Sequence, residues 1–100
     1  MNDYVLLMYD DVTDQAASED SDAWARYLSA LRGSGCFEGG SSIGRGLSFK
    51  RGRPTQAASV NISGFIRVRA ETLEAAARWV EGNPVHDAGG TVEVRDLPRD

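Results

Sequence analysis

The sequence predicts an α+β fold, ordered strand, helix, strand, strand, helix, strand, in one domain over residues 1–100. Three observations predict it. A six-residue apolar run, Tyr4 to Tyr9, is closed by Asp10 and Asp11; that length suits a buried strand better than a helix. Two stretches repeat apolar residues at i, i+3, i+4 and i+7, the stripe of a one-sided helix. They are Trp24, Tyr27, Leu28, Leu31 and, later, Leu73, Ala76, Ala77, Val80. Residues 60–69 and 91–95 alternate apolar with polar side chains, the two-residue period of a strand with one buried face.

Composition narrows the function classes. With 41% hydrophobic and 26% charged residues the chain is of ordinary globular type. No apolar run approaches the eighteen or so residues of a membrane span, so no membrane association is expected. The N-terminus has neither a basic region nor a small-residue cleavage site, and a cytoplasmic location is expected. A single cysteine, Cys36, forms no internal disulfide and, with one histidine, makes a poor zinc site; no metal or cofactor is expected. The net charge of −4 argues against nucleic acid as a partner.

In the first strand Tyr4, Leu6 and Met8 share one face and Val5, Leu7 and Tyr9 the other. Residues 10–22 carry Asp10, Asp11, Asp14, Glu19, Asp20 and Asp22. They read as a solvated loop whose charge favours the positive end of the next helix, with Ser18, Ser21 or Asp22 as cap. Gly33 and Gly35 are expected to stop that helix.

CFEGGSSIGRG (36–46) reads as a bent or bulged strand, followed by a short extended piece at 47–50 and a turn at Arg51–Pro54. Along the clearest strand, Val60, Ile62, Gly64, Ile66 and Val68 face one way, and Asn61, Ser63, Phe65, Arg67 and Arg69 the other. Thr72 is the expected cap of the second helix, with Gly82 and Pro84 at its end. Val92 and Val94 alternate with Thr91, Glu93 and Arg95 in the last strand. This order is the ferredoxin-like βαββαβ arrangement, a four-stranded, mainly antiparallel sheet with both helices on one face. An unrelated α+β sandwich shares the same order.

Helices on one side leave the other sheet face to water, yet strand one is apolar on both faces and Phe65 sits among polar neighbours. Side chains of that kind forgo roughly 1.5–3 kcal/mol each when exposed. A two-fold homodimer through the sheet faces is therefore expected, with Val5, Leu7 and Phe65 at or near the interface and Arg67, Arg69, Glu93 and Arg95 nearby.

The candidate site residues are few. His86 and Asp87 are the candidates for proton transfer, against a surface loop reading. Ser41 and Ser42 offer hydroxyls within GGSSIGRG (39–46), which lacks the lysine of a phosphate loop. Arg67 and Arg95 are candidate anion-binding groups. Arg45, Lys50, Arg51 and Arg53 form a basic hairpin (45–53), read either as a solvated tip or as a partner contact. Cys36 reads as a buried structural thiol.

YVLLMYDD at the start, SGFIRV (63–68) and GNPVHDAGGTVEVRDLP (82–98) resemble the YCII-related (DGPF-type) family. The resemblance implies a ferredoxin-like domain that pairs into a dimeric α+β barrel. For members proposed as enzymes it implies a His on the first helix near an Asp preceding Pro. Here that helix carries Trp24 and Tyr27, Asn83 precedes Pro84, and residues 50–59 (KRGRPTQAAS) lack Asp-Gly-Pro-Phe. An amide is no general base. The leading expectation is a homodimer that binds a small polar or anionic ligand in a cleft. The alternatives are a lyase- or isomerase-like enzyme using His86 and a non-catalytic interaction module using the basic hairpin.

Overall fold

The computed structural model describes residues 1–59 and 61–99; Val60, expected on the inward face, lies outside them. Four strands, β1 (Asn2–Tyr9), β2 (Phe37–Ser42), β5 (Ile62–Ala70) and β6 (Val92–Leu97), form an antiparallel sheet in the order β2-β5-β1-β6. This is the ferredoxin-like arrangement. β3 (Leu47–Ser48) and β4 (Gln56–Ala57) make a separate two-stranded hairpin where the short extended piece was expected.

Register fixes the faces. Leu6 lies between Ile66 and Val94, and Tyr4 opposite Val68. Tyr4, Leu6 and Met8 are buried with Ile66, Val68 and Ala70 beneath the helices, and Val92 and Val94 pack at the margin. A bulge between Met8 and Tyr9 sets Ile62 opposite Tyr9. Ile62 thereby leaves the core and lines a cleft under the hairpin. On the open face Val5 pairs with Arg67 and Arg95, and Leu7 with Phe65 and Glu93. Val5 is only 9% exposed, since long arginine stems shield an apolar neighbour. The apolar patch expected there therefore shrinks to Leu7 and Phe65, both half-buried.

Several local expectations are corrected. The acidic loop contains a helical turn, α1 (Gln15–Ser18), whose cap is Asp14, accepting from the Ala17 N–H. The first long helix, α2 (Ser21–Ser34), is capped by Asp20, which accepts from Asp22 and Ala23. Gly33 lies inside it, and Gly35, at φ 78°, makes the left-handed exit that a side chain would strain. The second expected helix is one α-turn, α3 (Leu73–Ala77, capped by Thr72), continuing as a 3₁₀ turn, Arg78–Val80. Leu73 is 44% exposed, so the inward face is Ala76 with Trp79 and Val80 beside it. The expected loop after Pro84 is a helical turn, α4 (Pro84–Asp87), with Pro84 at its first position. Cys36 is half-buried at the α2–β2 junction rather than sealed in the core.

Candidate functional site

Tyr27 and Leu31 point from α2 into the core, while Trp24, Leu28 and Arg32 follow one another at four-residue intervals along its flank. That flank faces the β2 edge across a cavity of about 620 Å³, walled by Trp24, Leu28, Phe37, Met8 and Val85. The Arg32 guanidinium lies 5.5 Å from the Phe37 ring centroid, within cation–π range. Asp10, Gln15 and Glu19 line the α1 side, and Ser41, Ser42 and Ser63 the strand side.

Glycine makes part of this room. A Cβ at Gly40 would stand 2.4 Å from the Phe65 carbonyl oxygen, and one at Gly64 2.9 Å from the Met8 methyl. Only glycine lets β2 approach β5 so closely at the cavity floor. On the helix side, Trp24 Nε1 donates to the Ser18 carbonyl at 2.7 Å, tying α1 to α2.

Beneath the cavity lies a neutral buried pair. Asn83 is fully buried and caps α4, its Oδ1 accepting from the Val85 and His86 N–H groups at 2.9 and 3.3 Å. Its Nδ2 faces Met8 Sδ at 3.6 Å. The Tyr27 hydroxyl donates to the Trp79 carbonyl at 2.6 Å. Burial raises the Tyr27 pKa, against a smaller opposite effect of its hydrogen bond with Asn83. Tyr27 and Asn83 are both neutral, buried side chains at the junction of α2 and α4.

The candidate residues from the sequence fall in three places. Ser41 and Ser42 line the cavity. Arg67 and Arg95 lie on the open sheet face, Arg95 bound to Glu93 at 2.6 Å. His86 and Asp87 sit on the outer side of α4, about half exposed, with Nδ1 and Oδ1 3.4 Å apart. Only Val85 of that turn reaches the cavity. Arg32 was the residue that sequence reading passed over. Its spacing of four from Leu28, continuing the Trp24–Leu28 row, is the pattern that marks it. Among the described residues no three His, Cys, Asp or Glu side chains converge as a metal site, and no helix is long and apolar enough to cross a membrane.

Fold and cavity together define a ferredoxin-like α+β protein with a pocket of small-molecule size between its first long helix and the sheet edge. A solved structure with this fold is 5-chloro-2-hydroxyhydroquinone dehydrochlorinase from Burkholderia phenoliruptrix AC1100, in complex with 2,5-dihydroxybenzoquinone. It matches with a TM-score of 0.58 and 16% identity, over 98% of this chain and 95% of that one. No family model and no curated protein sequence matches the chain.

Proposed function

We propose that the chain is a cytoplasmic, YCII-related homodimer, one domain over residues 1–100, that binds a small ring-bearing anion between α2 and β2. The observation carrying this reading is Arg32, a cation stacked on Phe37 in the wall of a largely apolar cavity. The volume falls within the range of small-molecule sites. Trp24 and Phe37 offer faces for a planar ring, Arg32 a counter-charge for an acidic substituent, and the three serines hydroxyls that fix orientation. Asp10 and Glu19 on the opposite wall favour ligand hydroxyls as donors and repel a second negative group. The like-folded dehydrochlorinase holds a ligand of comparable size, a dihydroxylated quinone ring.

Thermal-shift titration with monocyclic aromatic acids and hydroxyquinones tests this. A ligand at a hundred times its Kd adds about 2.7 kcal/mol of apparent stability. Arg32→Met should abolish the shift for acids while leaving the fold intact. A panel without shifts, or shifts indifferent to Arg32→Met, would sink the proposal.

Two copies pair through the open sheet face, where Leu7 and Phe65 stay half-buried in the single chain. Phe65→Glu should give monomer at micromolar concentration. A second reading, a lyase- or isomerase-like enzyme, draws on the 3.4 Å contact of His86 with Asp87 and on the dehydrochlorinase activity of the like-folded protein. Unchanged turnover in His86→Gln, with a substrate found by the binding panel, would discard it.

A further inference from the structure

The β3–β4 hairpin is the part of the molecule least explained by the fold. Every residue from Gly40 to Ala57 is exposed. Leu47 and Phe49 show 66% and 74% of their surface to water, and Ile43 42%. Between Glu38 and Glu71 there is no carboxylate, while Arg45, Lys50, Arg51 and Arg53 crowd the hairpin. None of these four forms an ion pair among the described residues. A cleft of about 700 Å³, with Asp10, Ile43 and Leu47 in its lining, separates the hairpin from its own sheet.

The chain as a whole is too spread for its size. Its radius of gyration is 14.8 Å and its extents 46 × 39 × 18 Å, against about 13 Å for a compact 100-residue domain. Its accessible surface is 6856 Å², roughly 1,300 Å² above the ~5,500 Å² of a compact monomer of this mass. A standard interface takes about 800 Å² from each partner. The excess is of the size that a second protein surface removes.

The chain also carries the complementary surface. Residues 10–22 hold six carboxylates and no Lys or Arg side chain precedes Arg26; none of the six is ion-paired among the described residues. This acidic segment borders the cavity, where Val12, Trp24 and Leu28 are half-buried apolar lining. Basic side chains flanking two exposed apolar ones match acidic side chains flanking a half-buried apolar lining. We propose that the hairpin is an exchange arm that docks on the acidic 10–22 segment of a second copy of this chain, with Leu47 and Phe49 covering the partner's cavity mouth. The arm makes the partner copy part of the binding site. The proposal rests on the pairing inferred above and adds a contact to it.

Sedimentation equilibrium of the full chain separates the two contacts. The variant Arg51→Glu with Arg53→Glu should weaken the dimer about tenfold or more, and Glu19→Lys with Asp22→Lys should weaken it likewise. Combining all four, which restores opposite charges across the contact, should recover most of the wild-type constant. Near-UV circular dichroism of each variant checks that the fold is kept. If the arm variant dimerises like wild type while Phe65→Glu is monomeric, the arm proposal falls and the sheet contact stands. If the arm variant weakens the dimer and the four-fold swap fails to restore it, the arm docks elsewhere and the proposal falls. A wild type that is monomeric at micromolar concentration overturns both. Unchanged dimerisation of the arm variant, coupled with loss of wild-type binding to a polyglutamate peptide, would assign the arm to a foreign acidic chain instead.

Discussion

Asn83→Ala removes the one polar side chain that is fully buried among the described residues. Its Oδ1 is the acceptor for two backbone N–H groups of α4, Val85 at 2.9 Å and His86 at 3.3 Å. Loss of a side-chain cap costs about 1 kcal/mol. The Val85 N–H is left without an acceptor in the interior, which adds about 1–3 kcal/mol. The lost Asn83 contacts to Met8 and Tyr27 act in the same direction. The total is about 2–4 kcal/mol, or a fall in Tm of roughly 10–20 °C for a chain of this length. Asn83→Ser keeps a capping oxygen and should recover about 1 kcal/mol of the loss. Urea unfolding followed by circular dichroism measures both variants at matched m-values. Because Val85 walls the cavity, the Ala variant should also weaken binding of any ligand found by thermal shift. A Tm change of only a few degrees, or a Ser variant as unstable as Ala, would refute the capping account.

Three further outcomes are expected. Gly40→Ala drives a Cβ against the Phe65 carbonyl and should destabilise by about 1–3 kcal/mol, whereas Gly33→Ala, with nothing within 4 Å, should stabilise α2 by about 0.5–1 kcal/mol; urea midpoints compare them. Leu6→Ala empties the centre of the sheet, where Leu6 is 0% exposed, and should cost about 2–5 kcal/mol by the same assay. The Asp11 carboxyl is held below its ordinary value of 3.8 by the Thr91 hydroxyl and then by the Thr91 N–H. A depressed carboxylate contributes stability above its ordinary pKa and loses it as pH falls through the folded value. Thr91→Val should therefore lower stability at neutral pH, and the gap to wild type should close below Asp11's titration; a gap independent of pH would refute the linkage.

The element types and most strand faces were legible because alternation is a local property. Tyr4, Leu6 and Met8, read as one face from spacing alone, are the three buried together in β1. Spacing misjudged Leu73 because a single α-turn that tightens into a 3₁₀ turn rotates its face, and period 3.6 presumes a continuing α-helix. Asp20, rather than the expected Ser18, Ser21 or Asp22, is the cap because α1 ends at Ser18 with Glu19 as its C-cap and α2 begins at Ser21. The site was less legible. Ser41 and Ser42 reach the cavity, and the spacing of Arg32 from Leu28 places it on the same helix flank, but its pairing with Phe37 across the α2–β2 turn is a contact that a one-dimensional pattern does not display. The Met8–Tyr9 bulge, which takes Ile62 out of the core, is likewise a property of two strands together.

The central position of β1 has a consequence for the order of events on the ribosome. Leu6 meets Ile66 and Val94, partners 60 and 88 residues further along the chain. The most apolar of the four sheet strands is thus synthesised before its partners and is among the last to be enclosed. Until β6 emerges, β1 has one bare edge, and until β5 emerges it has two. Loop closure over such separations delays folding, and an apolar strand with open edges is a template for self-association meanwhile. Nascent chains stalled before residue 62 should accordingly be held by chaperones, and those released after β6 should not.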